Sequence, residues 1–360
     1  MWAMRVLQSI DSATQGALYP HIHLITGSSG GMLGAAYYRE LKYLQKQGQA
    51  LNPNHEKYLR ISGEDMLNPV IFTLAVNDLF FRFKRARMGQ HSYTADRGYT
   101  FDMRWVELTG GLLNKPLVFR QQEEFEAQMP MLILAPTIVG DGRKLLMSAQ
   151  NLSFLTFNSP LAGVGKQKEF DGVEFRRLFQ KQEADSLHFA TALRLSASFP
   201  YITPMVNMPS EPGMELIDAG VRDNEGLELA LRYTYKFQDW LKENTSGIKI
   251  IQIKANRPDT IPIVDNKPTW VNNLLLPLSG VVKSFSNLQI YNKALLMELS
   301  PEFLNLDVEL YRFSLLAENE DVSLSWHLTE REKLEISRSI EKQHNAEALH
   351  RLLNDFEPRQ

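Results

Sequence analysis

The chain reads as an α/β protein with a central, mostly parallel sheet. Strand-like segments alternate with amphipathic helical ones, the first strand feeds a glycine turn and then a helix, and no repeat, low-complexity tract or linker divides the sequence. A chain of 360 residues, 44% of them hydrophobic, can bury a large core without disulfides, and there is no cysteine to form any. That absence excludes thiolate catalysis and cysteine-ligated zinc. A formal charge of -3 gives no general attraction to nucleic acid or to an anionic membrane. Neither a spanning apolar stretch nor a charged-then-apolar leader is present in the sequence.

Trp2, Met4, Val6, Leu7 and Ile10 form an apolar helical stripe at the very start. Sheet-based folds seldom open on a helix, so residues of the same fold are expected upstream of Met1. Ile22-His23-Leu24-Ile25-Thr26 reads as a buried parallel strand. Residues 32–47 read as a helix, with Leu33, Ala36, Tyr37, Leu41 and Leu44 on one face and Arg39, Glu40, Lys42 and Lys46 between them. Residues 52–63 read as a polar loop, and 65–83 as a largely apolar helix or helix pair. Segments 131–135 and 144–149 flank Gly140-Asp141-Gly142-Arg143, a hairpin signal. Residues 215–217 and 248–253 read as further strands, and 280–299 and 330–356 as the long C-terminal helices. The expected organisation is one domain over 1–360, with a helical insertion at 50–125 and a mainly helical extension at 260–360.

Gly27-Ser28-Ser29-Gly30-Gly31 sits between strand and helix and matches G-x-S-x-G, the turn that presents a nucleophilic serine among very small neighbours. The helix after it aims unpaired N–H groups at the Ser29 oxygen, with Gly30 N–H as the first oxyanion donor and Gly27 and Gly31 completing the elbow. Ser29 needs a base. Asp218 closes an apolar strand and is followed by Ala219 and Gly220, small enough for another loop to approach, and both residues end strands whose carboxyl ends share a sheet edge. The competing scheme places a histidine between them, with His327 the candidate and Asp218 its orienting acid. His21 and His23 alternate on the strand entering the elbow, with His21 expected in solvent. No cluster of His and carboxylates has metal-ligand spacing, so neither a catalytic metal nor a cofactor is expected.

These motifs resemble the patatin-like and cytosolic phospholipase A2-like acyl hydrolases. Gly27 to Gly31 match that family's serine motif, and Asp218-Ala219-Gly220 is similar to its D-G-G or D-G-A aspartate motif, with Ala219 in place of glycine. Asp223-Asn224 stands where the family carries a D-N or N-N pair, and the stretch with Ser196, Ser198, Pro200 and Pro204 is similar to its A-S-x-x-P loop. Residues 135–143 resemble its central hairpin. The resemblance covers about 1–231 and implies a three-layer α/β/α fold and a Ser29–Asp218 dyad supported by Ala219, Gly220 and Asn224. It further implies a lipid or phospholipid ester substrate, peripheral membrane contact, and a cytoplasmic location or one on the cytoplasmic face of a membrane. The family's glycine-rich oxyanion loop has no counterpart after Met1; Gly110-Gly111 lies on the wrong side of Ser29. A catalytically silent lipid-binding relative is the alternative of another class. Two further stretches stay open between packing and lipid contact: the aromatic and basic run 80–87, and Trp270 with the apolar segment 274–278. No nucleic-acid partner is expected.

Overall fold

The computed structural model describes residues 1–73, 85–88, 91–94, 97–157, 170–198, 206–208, 210–255, 292, 295–298, 300, 302, 304–315 and 326–356. Helix α1, Trp2–Ala13, buries Trp2, Met4, Val6 and Ile10, as the stripe predicts. It crosses α2, Ser29–Lys46, at Gly34, where an added Cβ would lie 3.5 Å from the Met4 nitrogen. The strands are β1 Leu24–Gly27, β2 Arg85–Met88, β3 His91–Thr94, β4 Met131–Leu134, β5 Thr137–Ile138, β6 Lys144–Leu146, β7 Gly172–Glu174, β8 Val206–Met208, β9 Met214–Ile217, β10 Ile248–Lys254 and β11 Val308–Ser314.

Among the described residues these strands do not form one central parallel sheet. β1 pairs with β4 in parallel, β10 pairs with β11 in parallel, and β2–β3 is an antiparallel hairpin. A five-stranded sheet runs β7-β6-β5-β9-β8, in which only β6 and β7 are parallel. The hairpin through Gly140 to Arg143 and the antiparallel return of β9 account for the mixed directions, because tight turns join antiparallel neighbours. The fold is nevertheless mixed α/β.

β4 and β5 behave as one nearly continuous run, and its two flanks explain how the site is assembled. One flank takes the hairpin partner, with Leu134 opposite Met147 and Thr137 opposite Lys144. The other flank takes β1 and then β9: Met131 N–H donates to His23 O at 2.9 Å, and Val139 N–H donates to Glu215 O at 2.9 Å. β1 runs with β4 and ends at Gly27 opposite Leu134, whereas β9 runs against β5 and ends at Ile217 opposite Thr137. The carboxyl ends of β1 and β9 therefore meet head to head on one flank, rather than side by side on the edge of a parallel sheet.

Burial on both sides holds this run in place. Leu132 and Leu134 enter a core with α2 residues Leu33 and Tyr37, while Met131 and Ile133 enter another with Leu152, Leu155 and Leu229, the alternation a strand imposes. Each such side chain contributes about 1.5–3 kcal/mol. A third core joins Trp2, Val6 and Ile10 of α1 to Tyr311, Phe313, Ile336 and Leu352. α2 is enclosed so fully that three of its interspersed charges are buried: Lys42 pairs with Asp11 at 2.9 Å, Arg39 with Glu124 at 2.8 Å, and Glu40 with Lys115 and Arg120. Burial raises the Glu124 carboxyl to about 7.

Several segments depart from the periodicity. Residues 52–63 contain a helix, Glu56–Ile61, started by the His55 ring accepting from Lys57 N–H, with Tyr58 and Leu59 as its buried anchors. The insertion 50–125 carries the β2–β3 hairpin besides its helices. The extension 260–360 contains β11, whose Val308, Leu310 and Arg312 alternate with Glu309, Tyr311 and Phe313 across two faces. The single helix expected over 330–356 is two, Glu330–Arg338 and Gln343–Asp355, with a tight turn at Ser339–Glu341 between them. The helix signal at 65–83 is observed as Leu67–Thr73; residues 74–84, Pro200, Pro204, Trp270, 274–278 and most of 280–299 lie outside the described residues. No described helix is long and apolar enough to cross a membrane.

Gly226, at φ +69°, sits where the helix Leu227–Lys236 starts against β1. A Cβ there would lie 2.6 Å from Gly27 N and 2.7 Å from the Thr26 carbonyl carbon, both backbone atoms that cannot rotate away. Gly226→Ala is expected to cost about 3 kcal/mol or more in urea unfolding. Gly31→Ala, whose Cβ would meet nothing within 4 Å, should leave stability unchanged or slightly higher.

Candidate active site

Ser29 occupies the first position of α2 with φ +54°. A serine in the left-handed region is strained, and such strain persists only where the surroundings enforce it. Here the enforcing contact is the Ser29 N–H, which donates to the Ser196 carbonyl at 3.0 Å. The side chain is half-buried and reaches the surface beside exposed Gly31.

Asp218 directly follows β9 and is 3% exposed. Its N–H donates to Ser198 O at 2.8 Å, and the next N–H, that of Ala219, donates to the same Ser196 carbonyl at 3.3 Å. One carbonyl thus ties the backbone of Ser29 to the backbone beside Asp218. Gly220 N–H donates to Asp218 Oδ1 at 2.7 Å, and a Cβ on Gly220 would collide with that oxygen and with Asn224 Oδ1, each at 2.9 Å. Oδ2 is buried and accepts no well-aligned hydrogen bond, while the Ser29 hydroxyl stands close enough to favour the ionised carboxylate. A loose pairing of this kind is compatible with a nucleophile and base before a substrate draws them together. Burial outweighs both hydrogen-bonding influences and pushes the Asp218 carboxyl up to about 6.

Ser28 precedes α2 in extended conformation but does not cap it. Its hydroxyl instead donates to Asn224 O at 2.6 Å. The first-turn N–H groups of a helix have no intrahelical acceptors, so those of Gly30 and Gly31, directly after Ser29, are left over at the positive end of the helix dipole. Gly220 and Asn224 lie against Asp218 and Ser28, and Ala219 shares the Ser196 carbonyl with Ser29; Gly27, Gly30 and Gly31 are near Ser29 as its neighbours in the chain, and an added Cβ on Gly31 would meet nothing within 4 Å. Among the described residues no group of three or more His, Asp or Glu side chains could hold a metal ion.

The histidines go elsewhere. His327 Nδ1 lies 3.4 Å from Asp65 Oδ1, and the influences on Asp218 are burial, Gly220 and Ser29, with no histidine among them. His23 Nε2 lies 2.7 Å from the Tyr233 hydroxyl at the opposite end of β1, and His21 is exposed, edge-on to Phe356.

Sequence reasoning did not reach two supporting features. Arg194, in the helix Phe189–Leu195 that delivers Ser196, forms a buried ion pair with Asp102 at 2.8 Å, and Asp102 also accepts from Thr191 at 2.7 Å. The pairing spans the interval from the Arg97–Leu108 helix, so no local signal could mark it. Trp326 packs on Gly30; it was visible only as the neighbour of His327. No family model matches the chain, and no curated protein is detectably similar to it.

Because the folded Asp218 carboxyl sits above its ordinary 3.8, the native state binds a proton that the unfolded state releases. Its contribution to stability is thus full below about pH 4 and is lost as pH rises through about 6. Keeping the carboxylate ionised at neutral pH costs on the order of 2–3 kcal/mol. Asp218→Asn should melt higher than the parent at pH 8 by calorimetry, with the difference vanishing near pH 4.

Proposed function

We propose that the protein is a serine acyl hydrolase that cleaves carboxylic esters, lipid esters by resemblance, through a Ser29–Asp218 dyad. The observation that carries this reading is the strained Ser29 backbone at a strand-to-helix turn, with its hydroxyl beside a buried carboxylate. A hydroxyl beside an ordinary surface aspartate would gain little; the low-polarity setting of Asp218 raises its basicity towards what proton abstraction near neutral pH requires.

Ionised Asp218 takes the Ser29 proton as Oγ attacks the ester carbonyl, and the oxyanion forms at the α2 N-terminus, where Gly30 N–H and the helix dipole stabilise it. Collapse breaks the carbon–oxygen bond to the alcohol, which leaves with the proton from Asp218. Water then attacks the acyl-Ser29 ester, Asp218 accepting its proton and returning it to Ser29 Oγ as the acid departs. The Ser196 carbonyl acts only through the backbone, holding the two reacting residues in register. A lipid-binding relative without turnover would keep the elbow but not acylate.

Ser29→Ala should remove hydrolysis of p-nitrophenyl esters to background, and Asp218→Asn should lower kcat by about 10³-fold or more, with the fold retained by circular dichroism. In the parent, kcat/KM should rise with pH through an apparent value near 6, because the base must be ionised. Turnover retained in either variant would overturn the dyad.

A further inference from the structure

Trp326 stands against the residue next to the nucleophile. A Cβ on Gly30 would lie 3.4 Å from both Cη2 and Cζ3 of the indole, and consecutive Cα atoms are about 3.8 Å apart, so the ring is within one residue's reach of Ser29. The indole is fixed from two directions. It meets Phe101 edge to face, with centroids 5.0 Å apart and ring planes at 77°, and Phe101 is itself fully buried. The Trp326 carbonyl accepts from Met66 N–H at 2.9 Å, and the next residue pairs with Asp65. Met66, Val70 and Phe101 belong to the main core, and Trp326 packs on that core as a partly buried member. The space beside Gly30 is therefore taken by a large flat side chain backed by Phe101.

We propose, on the reading of Ser29 as the acylated nucleophile, that Trp326 is a specificity-determining residue: it ends the acyl site and restricts it to short acyl chains, a narrower class than the long-chain lipid esters that the resemblance implies. A chain attached at Ser29 that extends past Gly30 meets the indole. Truncating that ring opens an apolar space towards Phe101, which a longer chain can fill, each buried methylene adding favourable transfer free energy.

The test uses alkyl fluorophosphonates carrying an ethyl or a dodecyl chain, with labelling followed by intact-mass spectrometry on the full chain and on Trp326→Ala and Trp326→Phe. In this reaction the Ser29 Oγ–phosphorus bond forms, the phosphorus–fluorine bond breaks, and the serine proton passes to Asp218. The parent should label faster with the ethyl probe. Trp326→Ala should raise the dodecyl-to-ethyl rate ratio by about tenfold or more, and Trp326→Phe by less. Should the alanine variant fail to fold, the phenylalanine variant alone decides through the same ratio. Labelling of Ser29 at an unchanged ratio overturns the role of Trp326 and leaves the nucleophile standing. No labelling of Ser29 by either probe overturns the nucleophile and this inference with it.

Discussion

The carbonyl oxygen of Ser196 is the point on which the site depends. It receives the N–H of Ser29 at 3.0 Å and that of Ala219 at 3.3 Å, so the turn that strains the serine and the turn that carries the aspartate share one acceptor. A shift in either backbone is felt by the other. The helix that delivers this carbonyl is anchored by the Arg194–Asp102 pair, which is buried and satisfied by Thr191 as well. Breaking such a pair costs more than the pair itself contributes, because one charge is left in the interior.

The strand arrangement makes that shared acceptor geometrically available. β1 and β9 lie end to end along one flank of the β4–β5 run, with their carboxyl ends facing. An open parallel sheet brings catalytic groups together by aligning strand ends along an edge; here opposed strand directions achieve the same convergence. The cost is close packing around the junction. Gly226 and Gly220 are both positions where a side chain would strike atoms of the elbow or of the aspartate turn.

The electrostatics follow from the same enclosure. α2 runs through the interior from the elbow onward, so Arg39, Glu40 and Lys42 are neutralised by buried partners rather than solvated, and Asp218 is held where ionisation is costly. Pairing with a cation would have depressed the Asp218 carboxyl. Its partners are instead a backbone N–H and a serine hydroxyl, which leave burial dominant.

Much of the candidate site was legible in the residues themselves. The elbow, Asp218 with its small followers, and Asn224 are marked by local demands: a left-handed turn at a strand end tolerates only small neighbours, and a hydrophobic strand announces where it stops. β1, β9, β10 and the hairpin signal at Asp141-Gly142 were readable for the same reason, since short apolar runs and turn chemistry are local signals. Strand direction was not, because β9 pairs with residues about 80 positions earlier and either direction satisfies the same apolar pattern. Nor was the burial of Arg39, Glu40 and Lys42, whose partners Glu124, Lys115 and Asp11 lie far along the chain or on another helix. By itself the sequence determined which residues can act and where the turns after β1, β9 and β5 fall, though not the break at Ser339–Glu341. Tertiary structure alone decided that Asp218 rather than His327 stands beside Ser29, and that Trp326 closes the space next to it, because both depend on contacts between segments roughly 190 to 300 residues apart that no local preference encodes.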